Sequence, residues 1–388
     1  MTTSAIAHTN AATASEAGRE LAAAVTEALA GAQADALIVF ASSRYDYPAL
    51  LEAIAAGCSP ALMVGCSSAG EFTSESPQVS SACVVALKNP EMKFSGGLAE
   101  GLQDDRKRAA ADLVASFQGL DSPDYLYRSA MILIDALAGF SDSLVEEITL
   151  ATGGMYQFFG GGAGDDARFQ KTHVFFGTKA YTNAAVALEI LSNKPVGVGV
   201  RHGWEPAGMP MRVTDAEGNR LISLNAAPAV EAFANYAAET GQIFDPKEPL
   251  AFFLANVLGI HSSGTYRLRV PLGINDDGSI TCAADVPVGS TVYLMRATEV
   301  SSAKAAQIAT EAAIAQLEDH RPKVAIFFDC VATRLRTGQN FGLELQALHN
   351  SLTPASFAGC NTYGQIARAE GQFGGFHNCT AVIGVIPD

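Results

Sequence analysis

One short motif occurs three times in this chain, and it constrains the fold more than any other feature. The copies occupy residues 64–72, 158–166 and 358–366, with the sequences VGCSSAGEF, FFGGGAGDD and AGCNTYGQI. The seventh residue of each copy is a glycine that is followed by a carboxyl or carboxamide side chain, in the pairs Gly70-Glu71, Gly164-Asp165 and Gly364-Gln365. Repetition of this kind indicates that one supersecondary unit is used several times.

The surroundings of the motif repeat as well. An apolar run precedes each copy, a helix-like segment follows that run, and further apolar runs lie just before and just after the motif. The first runs are 36–40, 130–134 and 324–328; the helical segments carry Glu52, Glu147 and Glu344; the second runs are 61–64, 155–159 and 355–358; and the third are 83–87, 173–176 and 379–386. We therefore predict an α/β fold with mixed sheets, built from three related strand-helix-strand-loop-strand units.

Between the second and third units the pattern changes to that of an antiparallel insertion. Residues 196–200 alternate as a strand does, and 211–214 with 220–224 flank a turn near Gly218. Further strands are predicted at 251–259, 265–272 and 291–296, and a helix at 227–239. At the other end of the chain, helical spacing over 16–31 follows Ser15 as a predicted cap, and the Ala- and Thr-rich residues 1–14 are predicted to be a mobile tail.

Composition restricts the classes of partner. The formal net charge of -15 argues against nucleic acid, whose phosphates need a basic surface, and against anionic membrane surfaces. No apolar run reaches the length of about eighteen residues that a membrane-spanning helix needs. Seven cysteines is an odd number without a C-x-x-C pair, which favours reduced thiols and a cytoplasmic location.

Several linked motifs resemble those of the FIST family, over almost the whole chain from about residue 34. The N-terminal features are Gly65 to Glu71, Gly161 to Asp166, His202-Gly203-Trp204 and Thr214 with Gly218-Asn219; the C-terminal ones are Phe328-Asp329-Cys330, Arg334, Glu344, Gly359 with Tyr363-Gly364, and Phe376-His377-Asn378 with Thr380. The resemblance implies a tail and helix over 1–33, a FIST N-terminal domain over 34–224 and a FIST C-terminal domain over 225–388.

The family resemblance also implies a function. FIST proteins are regarded as intracellular sensory modules for small ligands, with amino acids among the proposed ones. Stand-alone bacterial members of this length resemble haem-containing nitric oxide sensors that act on a separate histidine kinase or cyclic-di-GMP enzyme. One departure is Gln365, which stands where the family commonly has glutamate, and the loss of a carboxylate weakens the amino-acid hypothesis.

The motif loops supply the candidate ligand-binding residues. Small residues after a buried strand allow backbone N–H groups and side chains to converge on a ligand, at the carboxyl ends of strands where open sheets bind ligands. The candidates are Cys66, Ser67, Ser68, Asn361, Thr362 and Tyr363, with Arg334 to hold a carboxylate. The alternative is purely structural: the glycines make tight turns, and Arg334 pairs with Glu344 or Glu71.

Haem b is the cofactor that the resemblance implies. Haem needs an apolar slot and an axial ligand, and His202, His261 and His377 have the most apolar sequence surroundings among the histidines. The alternative for each is a hydrogen-bonded core histidine.

Catalytic motifs are a weaker signal. The sequence has no G-x-S-x-G elbow, no P-loop lysine motif and no H-E-x-x-H. Cys330 or Cys360 remains as a nucleophile if a histidine lies beside it, and Asp165 with Asp166 as a metal site, with solvated loop acids as the alternative. We therefore predict a non-catalytic sensor of a small ligand, which forms a homodimer if it follows the commonest oligomeric state.

Overall fold

Residues 1–74, 77–78, 80–122, 124–262, 264–369 and 374–388 are described by a computed structural model. Within these residues the strands form three six-stranded sheets and one nine-stranded sheet, and helices cover the sheets. The prediction of an α/β fold with mixed sheets is confirmed. In the part of the chain so described, no helix combines the length and the apolar character needed to cross a membrane.

Three units follow one another along the chain. The first contains β1 Thr3–Thr9, α1 Ala14–Ala28, β2 Ala36–Ser42, α2 Tyr47–Cys58, β3 Met63–Ser68, β4 Glu71–Thr73, β5 Pro77–Gln78 and β6 Ala82–Lys88. The second contains β7 Lys93–Glu100, α3 Arg106–Val114, β8 Tyr127–Ile134, α4 Ser141–Ala151, β9 Gln157–Gly162, β10 Val174–Phe176, β11 Lys179–Tyr181 and β12 Ala184–Ser192.

The third unit is interrupted by the insertion. It begins with β13 Gly197–Arg201. The insertion then contains β14 Glu205–Pro206, β15 Met211–Glu217, β16 Arg220–Leu224, β17 Ala227–Pro228, α5 Ala229–Thr240, α6 Leu250–Ala255, β18 Val257–Ser262, β19 Thr265–Arg269, β20 Pro271–Ile274, β21 Ile280–Cys282 and β22 Thr291–Arg296. The unit resumes with α7 Glu299–Ala315, β23 Pro322–Cys330, α8 Val331–Thr337, α9 Gly342–Leu352, β24 Ser356–Thr362, β25 Gln365–Arg368, β26 Gly375–His377 and β27 Ala381–Pro387.

The three units exchange strands in a cycle. Sheet 1 has the order β1-β6-β2-β3-β10-β11, sheet 2 the order β7-β12-β8-β9-β25-β26, and sheet 3 the order β13-β27-β23-β24-β4-β5. The two central strands of each sheet are parallel, as Phe40↔Cys66 shows in sheet 1, and their neighbours are antiparallel. The last two strands of every sheet come from another unit: the second unit completes sheet 1, the third completes sheet 2, and the first completes sheet 3.

One core lies between the three sheets. Side chains from the inner faces of all three, among them Phe40, Met131 and Phe328, form a single buried cluster. Helix pairs cover the outer faces, with α1 and α2 on sheet 1, α3 and α4 on sheet 2, and α7 and α9 on sheet 3. Because both faces are covered, the central strands read as continuous apolar runs, which is why the sequence revealed them.

The glycines of β13 pack against a helix. A Cβ atom on Gly197 would lie 1.9 Å from the carbonyl oxygen of Ala313, and one on Gly199 would lie 1.8 Å from that of Ala309. Both contacts are far inside van der Waals distance, so only glycine lets α7 approach this strand so closely. The alternation of valine and glycine predicted a strand over 196–200. Its cause in the structure is that this strand lies between the core and the backbone of a helix.

Several predicted elements require correction. Residues 1–14 are no mobile tail, because β1 pairs along its whole length with β6, from Thr3↔Lys88 to Thr9↔Ala82. Helix α1 begins one residue after Thr13, whose side chain accepts the Glu16 N–H, and Ser15 is not the cap. The strand predicted over 251–259 is a helix, α6, in its first half, and the one predicted over 265–272 is divided into β19 and β20.

The second unit also differs from its predicted plan. The run at 173–176 forms β10, which belongs to sheet 1, and the strand equivalent to β6 and β27 is β12. The insertion is antiparallel as predicted, but it follows β13, the first strand of sheet 3, and so lies inside the third unit.

Candidate functional site

The three motif loops meet at the carboxyl ends of β3, β9 and β24. The Ala69 N–H donates to the Asn361 carbonyl, and the Gly164 N–H donates to the Ser67 carbonyl, each at 2.9 Å. The Tyr363 N–H donates to the Gly162 carbonyl, also at 2.9 Å. Each loop thus contacts both of the others, so residues that lie far apart in the sequence form one junction. We call it the loop junction.

Most of the predicted residues in the first loop have structural roles. Cys66 is buried in the central core with Cys83 and Cys360. The Ser67 hydroxyl accepts the His173 N–H at 2.8 Å and donates to the His173 carbonyl at 3.2 Å. The Ser68 hydroxyl donates to the Glu71 carboxylate. These side chains are fully enclosed, so they hold the loop in place.

Glu71 and Gln365 occupy equivalent positions and make equivalent contacts. The Glu71 carboxylate accepts from Ser68, three residues earlier, and from the N–H of Ser81, just before β6, at 3.1 Å. Gln365 donates to Thr362, three residues earlier, at 2.9 Å and accepts the N–H of Thr380, just before β27, at 3.2 Å. Both polar atoms of the Gln365 carboxamide therefore bond to other residues of the protein. The replacement of the family's glutamate by glutamine changes contacts inside the fold.

Burial raises the pKa of the Glu71 carboxyl to about 7, although Ser68 and Ser81 act in the opposite direction. At neutral pH this group therefore carries a proton for part of the time. Gln365 imitates the protonated form permanently.

Tyr363 fills the loop junction. Its ring stacks on Phe169, with centroids 4.4 Å apart, and its hydroxyl donates to the Asp165 carboxylate. Asp165 is buried, and its oxygens also accept the N–H groups of Phe169, Gln170 and Lys171 at 2.7 to 2.8 Å. Asp166 accepts from Ser42 and Ser43.

These contacts correct the view of Asp165 as a solvated loop acid, since it organises the second loop from inside. In the ranges that the structure describes, no group of three or more His, Cys, Asp or Glu residues is placed to hold a metal ion.

Arg334 contacts the first loop, where the structural alternative paired it with Glu71, but its hydrogen bond goes to a carbonyl oxygen. Its guanidinium donates to the Ala69 carbonyl, and a Cβ on Gly70 would lie 2.0 Å from its Nη1 atom. Gly70, with φ of +133°, therefore provides both the backbone conformation and the space for the guanidinium. Burial lowers the pKa of Arg334, while the carboxyl groups of Glu71 and Asp166 act in the opposite direction.

Glu344 has a different partner from the one suggested by sequence. It lies against Asp329, and both carboxyl groups are almost completely buried. Burial raises the pKa of Asp329 above its ordinary value, and burial together with the neighbouring Asp329 charge raises that of Glu344 well above its own. Two adjacent buried carboxylates repel each other, and a proton on Glu344 removes this repulsion. This pair was not predicted from the sequence.

An apolar cleft opens beside the loop junction. Its described lining comprises Ala136, Leu137, Phe169, Leu250, Leu254, Val270, Leu272, Ala283, Cys330, Val331, Ala332, Leu335, Tyr363, Gly364 and Asn378. The cavity has a volume of about 80 Å³, and five apolar side chains around it remain 37 to 46% exposed, namely Leu137, Phe169, Leu250, Leu272 and Leu335. Exposed apolar side chains collected around one cavity are typical of binding sites.

Asn378 is the distinctive polar residue of the cleft. Its side chain is 1% exposed, and its Nδ2 group donates to the His377 carbonyl at 3.3 Å. Among the described residues, its Oδ1 atom has no hydrogen-bond partner. A buried amide oxygen without a partner costs about 1–3 kcal/mol, which a ligand carrying a donor would recover. In the sequence, Asn378 was named only as part of the Phe376-His377-Asn378 motif and not as a ligand-binding candidate.

The three candidate haem ligands do not fit haem in this arrangement. His202 Nε2 lies 3.0 Å from the Tyr266 carbonyl and its Nδ1 accepts the Trp204 N–H at 3.2 Å; burial lowers its pKa to about 4. His377 is 1% exposed, and burial likewise lowers its pKa. His261 is exposed on β18 beside Tyr266 and Tyr293.

The cavity beside His202 has a volume of about 360 Å³, yet both ring nitrogens of that histidine face protein groups. An axial ligand must present a free nitrogen to an apolar slot. His202 does not do so, His377 is enclosed by the fold, and His261 is exposed to solvent.

Comparisons with known proteins identify the family. The FIST N domain model matches residues 35–227, and the FIST C domain model matches residues 229–368. The chain belongs to the FIST family. FIST domains are small-ligand sensing domains of signal transduction. The loop junction and the apolar cleft of this FIST protein draw residues from both matched regions.

No curated protein matches the chain. Solved structures that resemble this FIST protein include cyanuric acid hydrolase from A. caulinodans, at 11% identity and a TM-score of 0.34, with 99% of each chain covered. T. maritima PurL complexed with ADP matches at 11% identity and a TM-score of 0.24, over 100% of this chain and 71% of that one. TM-scores this low carry no inference about function.

Proposed function

We propose that this FIST protein senses a small, neutral, mainly apolar molecule that binds in the apolar cleft and donates a hydrogen bond to Asn378. The observation that carries the proposal is the Oδ1 atom of Asn378, buried in an apolar setting with no partner among the described residues. The surrounding leucines favour an apolar ligand, and the small volume of the cleft, about 80 Å³, limits the enclosed part of that ligand to a single ring at most.

The position of the cleft suggests how binding is transmitted. Leu137 and Phe169 come from the second unit, Leu250 and Leu272 from the insertion, and Leu335 from the third unit. A ligand that contacts all of them stabilises one placement of the insertion against the sheets. Ligand binding shifts a conformational equilibrium by its differential affinity for the two states, so contacts across several parts are what a sensor needs.

The test compares phenol with anisole, which has a similar ring but cannot donate a hydrogen bond. Titration calorimetry of the full chain should show phenol binding at one site, about tenfold more tightly than anisole. The Asn378→Leu variant should bind the two equally, whereas Asn350→Leu, which changes an exposed asparagine of α9, should preserve the difference. Equal binding of phenol and anisole by the unaltered protein would refute the proposal.

Haem b with nitric oxide is the more specific alternative, and it rests on the family resemblance. The axial candidates His202, His261 and His377 do not support it in the described arrangement, so the ligand proposed above is organic. An absorption spectrum of protein from haem-supplied cells separates the two. A stoichiometric Soret band that moves on adding nitric oxide, and that is lost in only one histidine-to-alanine variant, would establish the haem sensor.

An amino-acid or carboxylate ligand at the loop junction is less well supported. Arg334 and Gln365 are the groups that would read such a ligand, and both make their hydrogen bonds within the fold. A thermal-shift screen of amino acids with Arg334→Ala as control tests the alternative directly.

We further propose that the protein is not an enzyme. Cys360 lies in the central core, where burial raises its pKa far above that of a reactive thiol. Cys330 lines the cleft, and hydrogen bonding to Cys379 lowers its pKa, but it is 3% exposed. Iodoacetamide at neutral pH should modify the half-buried Cys58 first. Faster modification of Cys330 would favour the cysteine-dependent enzyme.

The output partner proposed from the family resemblance is a separate histidine kinase or cyclic-di-GMP enzyme. A cytoplasmic location is part of the same proposal, and the free cysteines of the described residues agree with a reducing compartment. The measurement is the autophosphorylation or cyclic-di-GMP turnover of purified partner enzymes, with this protein added in the presence and absence of phenol. A rate that never responds to the protein would exclude that partner. Homodimer formation stays a prediction.

A further inference from the structure

A second and larger cavity lies between the second unit and the segment around β26. Its volume is about 840 Å³, within the range of small-molecule sites. Arg267 of β19 and Arg368 of β25 line it, together with the apolar side chains of Leu126, Leu150 and Met155. It shares no described lining residue with the apolar cleft. We call it the arginine cavity.

Positive charge accumulates in the arginine cavity. Asp142 forms a close ion pair with Arg269, at 2.7 Å, and only a longer one with Arg267, at 3.5 Å. The single negative charge of Asp142 is therefore shared between two positively charged guanidinium groups. Within the described ranges, Arg368 makes its hydrogen bond to an uncharged partner, the Tyr156 carbonyl. Glu146 also lines the cavity but is exposed to solvent. In a chain with net charge -15, this local excess of cations is distinctive.

Two glycines make room for these guanidinium groups. A Cβ on Gly154 would lie 3.1 Å from Nη2 of Arg368, and one on Gly375 would lie 3.4 Å from Nη2 of Arg267. Both glycines have positive φ, at +57° and +121°. Each planar guanidinium can therefore lie directly against the backbone at one of these glycines. This contact restricts the arginine side chain and leaves its remaining N–H donors for an anion.

The mouth of the arginine cavity is apolar. Leu126 and Leu150 are each 73% exposed and Met155 is 51% exposed, which is unusual for large apolar side chains that lie together. A simple inorganic anion would leave these side chains in water. A ligand with an apolar body and one anionic end would cover them while its charge meets the arginines.

We propose that the arginine cavity binds an amphipathic monocarboxylate, with Arg267 and Arg368 holding the carboxylate and the leucines and methionine contacting the aliphatic or aromatic body. The proposal is independent of the ligand assigned to the apolar cleft, because the two sites use different residues. Bidentate guanidinium contacts suit a planar carboxylate, and the apolar mouth selects against acetate and similar small anions.

The experiment titrates the full chain with octanoate, octan-1-ol and octylammonium, which share one tail and differ in the head group. We expect octanoate to bind at one site, at least tenfold more tightly than either of the others and than acetate. Arg267→Gln and Arg368→Gln should each weaken octanoate binding about tenfold or more, because a charge-assisted hydrogen bond is lost. Arg108→Gln, on an exposed arginine of α3, is the matched control and should bind octanoate unchanged.

Two further variants keep the outcome decisive. Met155→Ser alters an exposed residue, so it should fold normally, and it should weaken octanoate but not acetate. Asn378→Leu, in the other site, should leave octanoate binding unchanged, so that failure of one proposal does not imply failure of the other. Octan-1-ol or octylammonium binding as tightly as octanoate, or undiminished binding in both arginine variants, would overturn the inference.

Discussion

At the scale of single residues, the comparison of Glu71 with Gln365 separates what the motif does for folding from what it does for a ligand. Both side chains bond to a hydroxyl residue three positions earlier and to the N–H that precedes the last strand of their unit. The motif glycine and the polar residue after it therefore form a folding device. Asp165 is the equivalent residue of the second motif, and it instead accepts hydrogen bonds from N–H groups of its own longer loop.

The raised pKa of Glu71 predicts a pH-dependent contribution to stability. A carboxyl whose pKa rises from its ordinary value of 4.5 to about 7 on folding stabilises the native state below about pH 4.5, and this contribution is lost as the pH increases through 7. The loss is about 3 kcal/mol between pH 4.5 and 7.5. Glu71→Gln imitates the protonated carboxyl, so its free energy of unfolding should fall less over this range.

Urea denaturation of Glu71→Gln and of the unaltered protein at several pH values gives the difference between their free energies of unfolding. Contributions from titrating groups that the two proteins share cancel in this difference. Glu52→Gln, on an exposed position of α2, is the control and should follow the unaltered protein. Parallel curves for Glu71→Gln and the unaltered protein would show that this carboxyl is not the source.

At the scale of elements, the repeating unit is longer than the sequence indicated. β1, β7 and β13 are equivalent edge strands, and α1, α3 and α7 are the helices of the same repeat. The long buried strands were predictable, because apolar runs bounded by loops are visible in the sequence. The strands exchanged between units were not, because β4 and β10 have three residues each and their partners lie in other units. β1 was missed because alanine and threonine give little hydrophobic signal.

Removal of β1 should therefore destabilise the protein, contrary to what a mobile tail would do. Deleting residues 1–9 exposes the edge of β6 and removes the Thr2 hydroxyl bond to the Pro387 carbonyl, which joins the first unit to the third. The free energy of unfolding should fall by an amount on the order of 3 kcal/mol, since several ladder hydrogen bonds are lost. The open edge should also promote aggregation.

Chemical denaturation and light scattering measure the two effects of that deletion. Thr3→Ala, which changes an exposed side chain and keeps the β1 backbone, is the control and should behave as the unaltered protein. Unchanged stability on deleting residues 1–9 would contradict the assigned role of β1.

At the scale of the whole molecule, the site depends on contacts that no local pattern reveals. The sequence placed Tyr363 and Arg334 near ligand-binding loops, and both lie at the loop junction. It did not indicate the apolar cleft, because Leu250 and Leu272 belong to the insertion and reach the loops only in the folded chain. Asn378 was named only as a motif residue for the same reason: its value as a ligand contact lies in an unpaired oxygen, which depends on its surroundings.

The cyclic exchange of strands makes a last prediction about the domain boundary at residues 224 and 225. A fragment ending at 224 lacks β25 and β26 of sheet 2 and leaves β4 without its partner β24, while the central core loses the residues of sheet 3. The two matched FIST regions should therefore not fold separately. The fragment 1–224 should show no cooperative thermal transition, and the full chain should unfold its three sheets in one transition.

Calorimetry and near-ultraviolet circular dichroism of each fragment, and of the two fragments mixed, measure this directly. Mixing 1–224 with 225–388 should restore native-like signals, because β4 and β25 then find their partners in the opposite fragment. A cooperative transition in 1–224 alone would mean that its sheets are stable without exchange. The expected result would instead mean that the two regions occur in one chain because they exchange strands. A ligand bound between them then stabilises a single cooperative core. Binding at the apolar cleft therefore stabilises all three sheets.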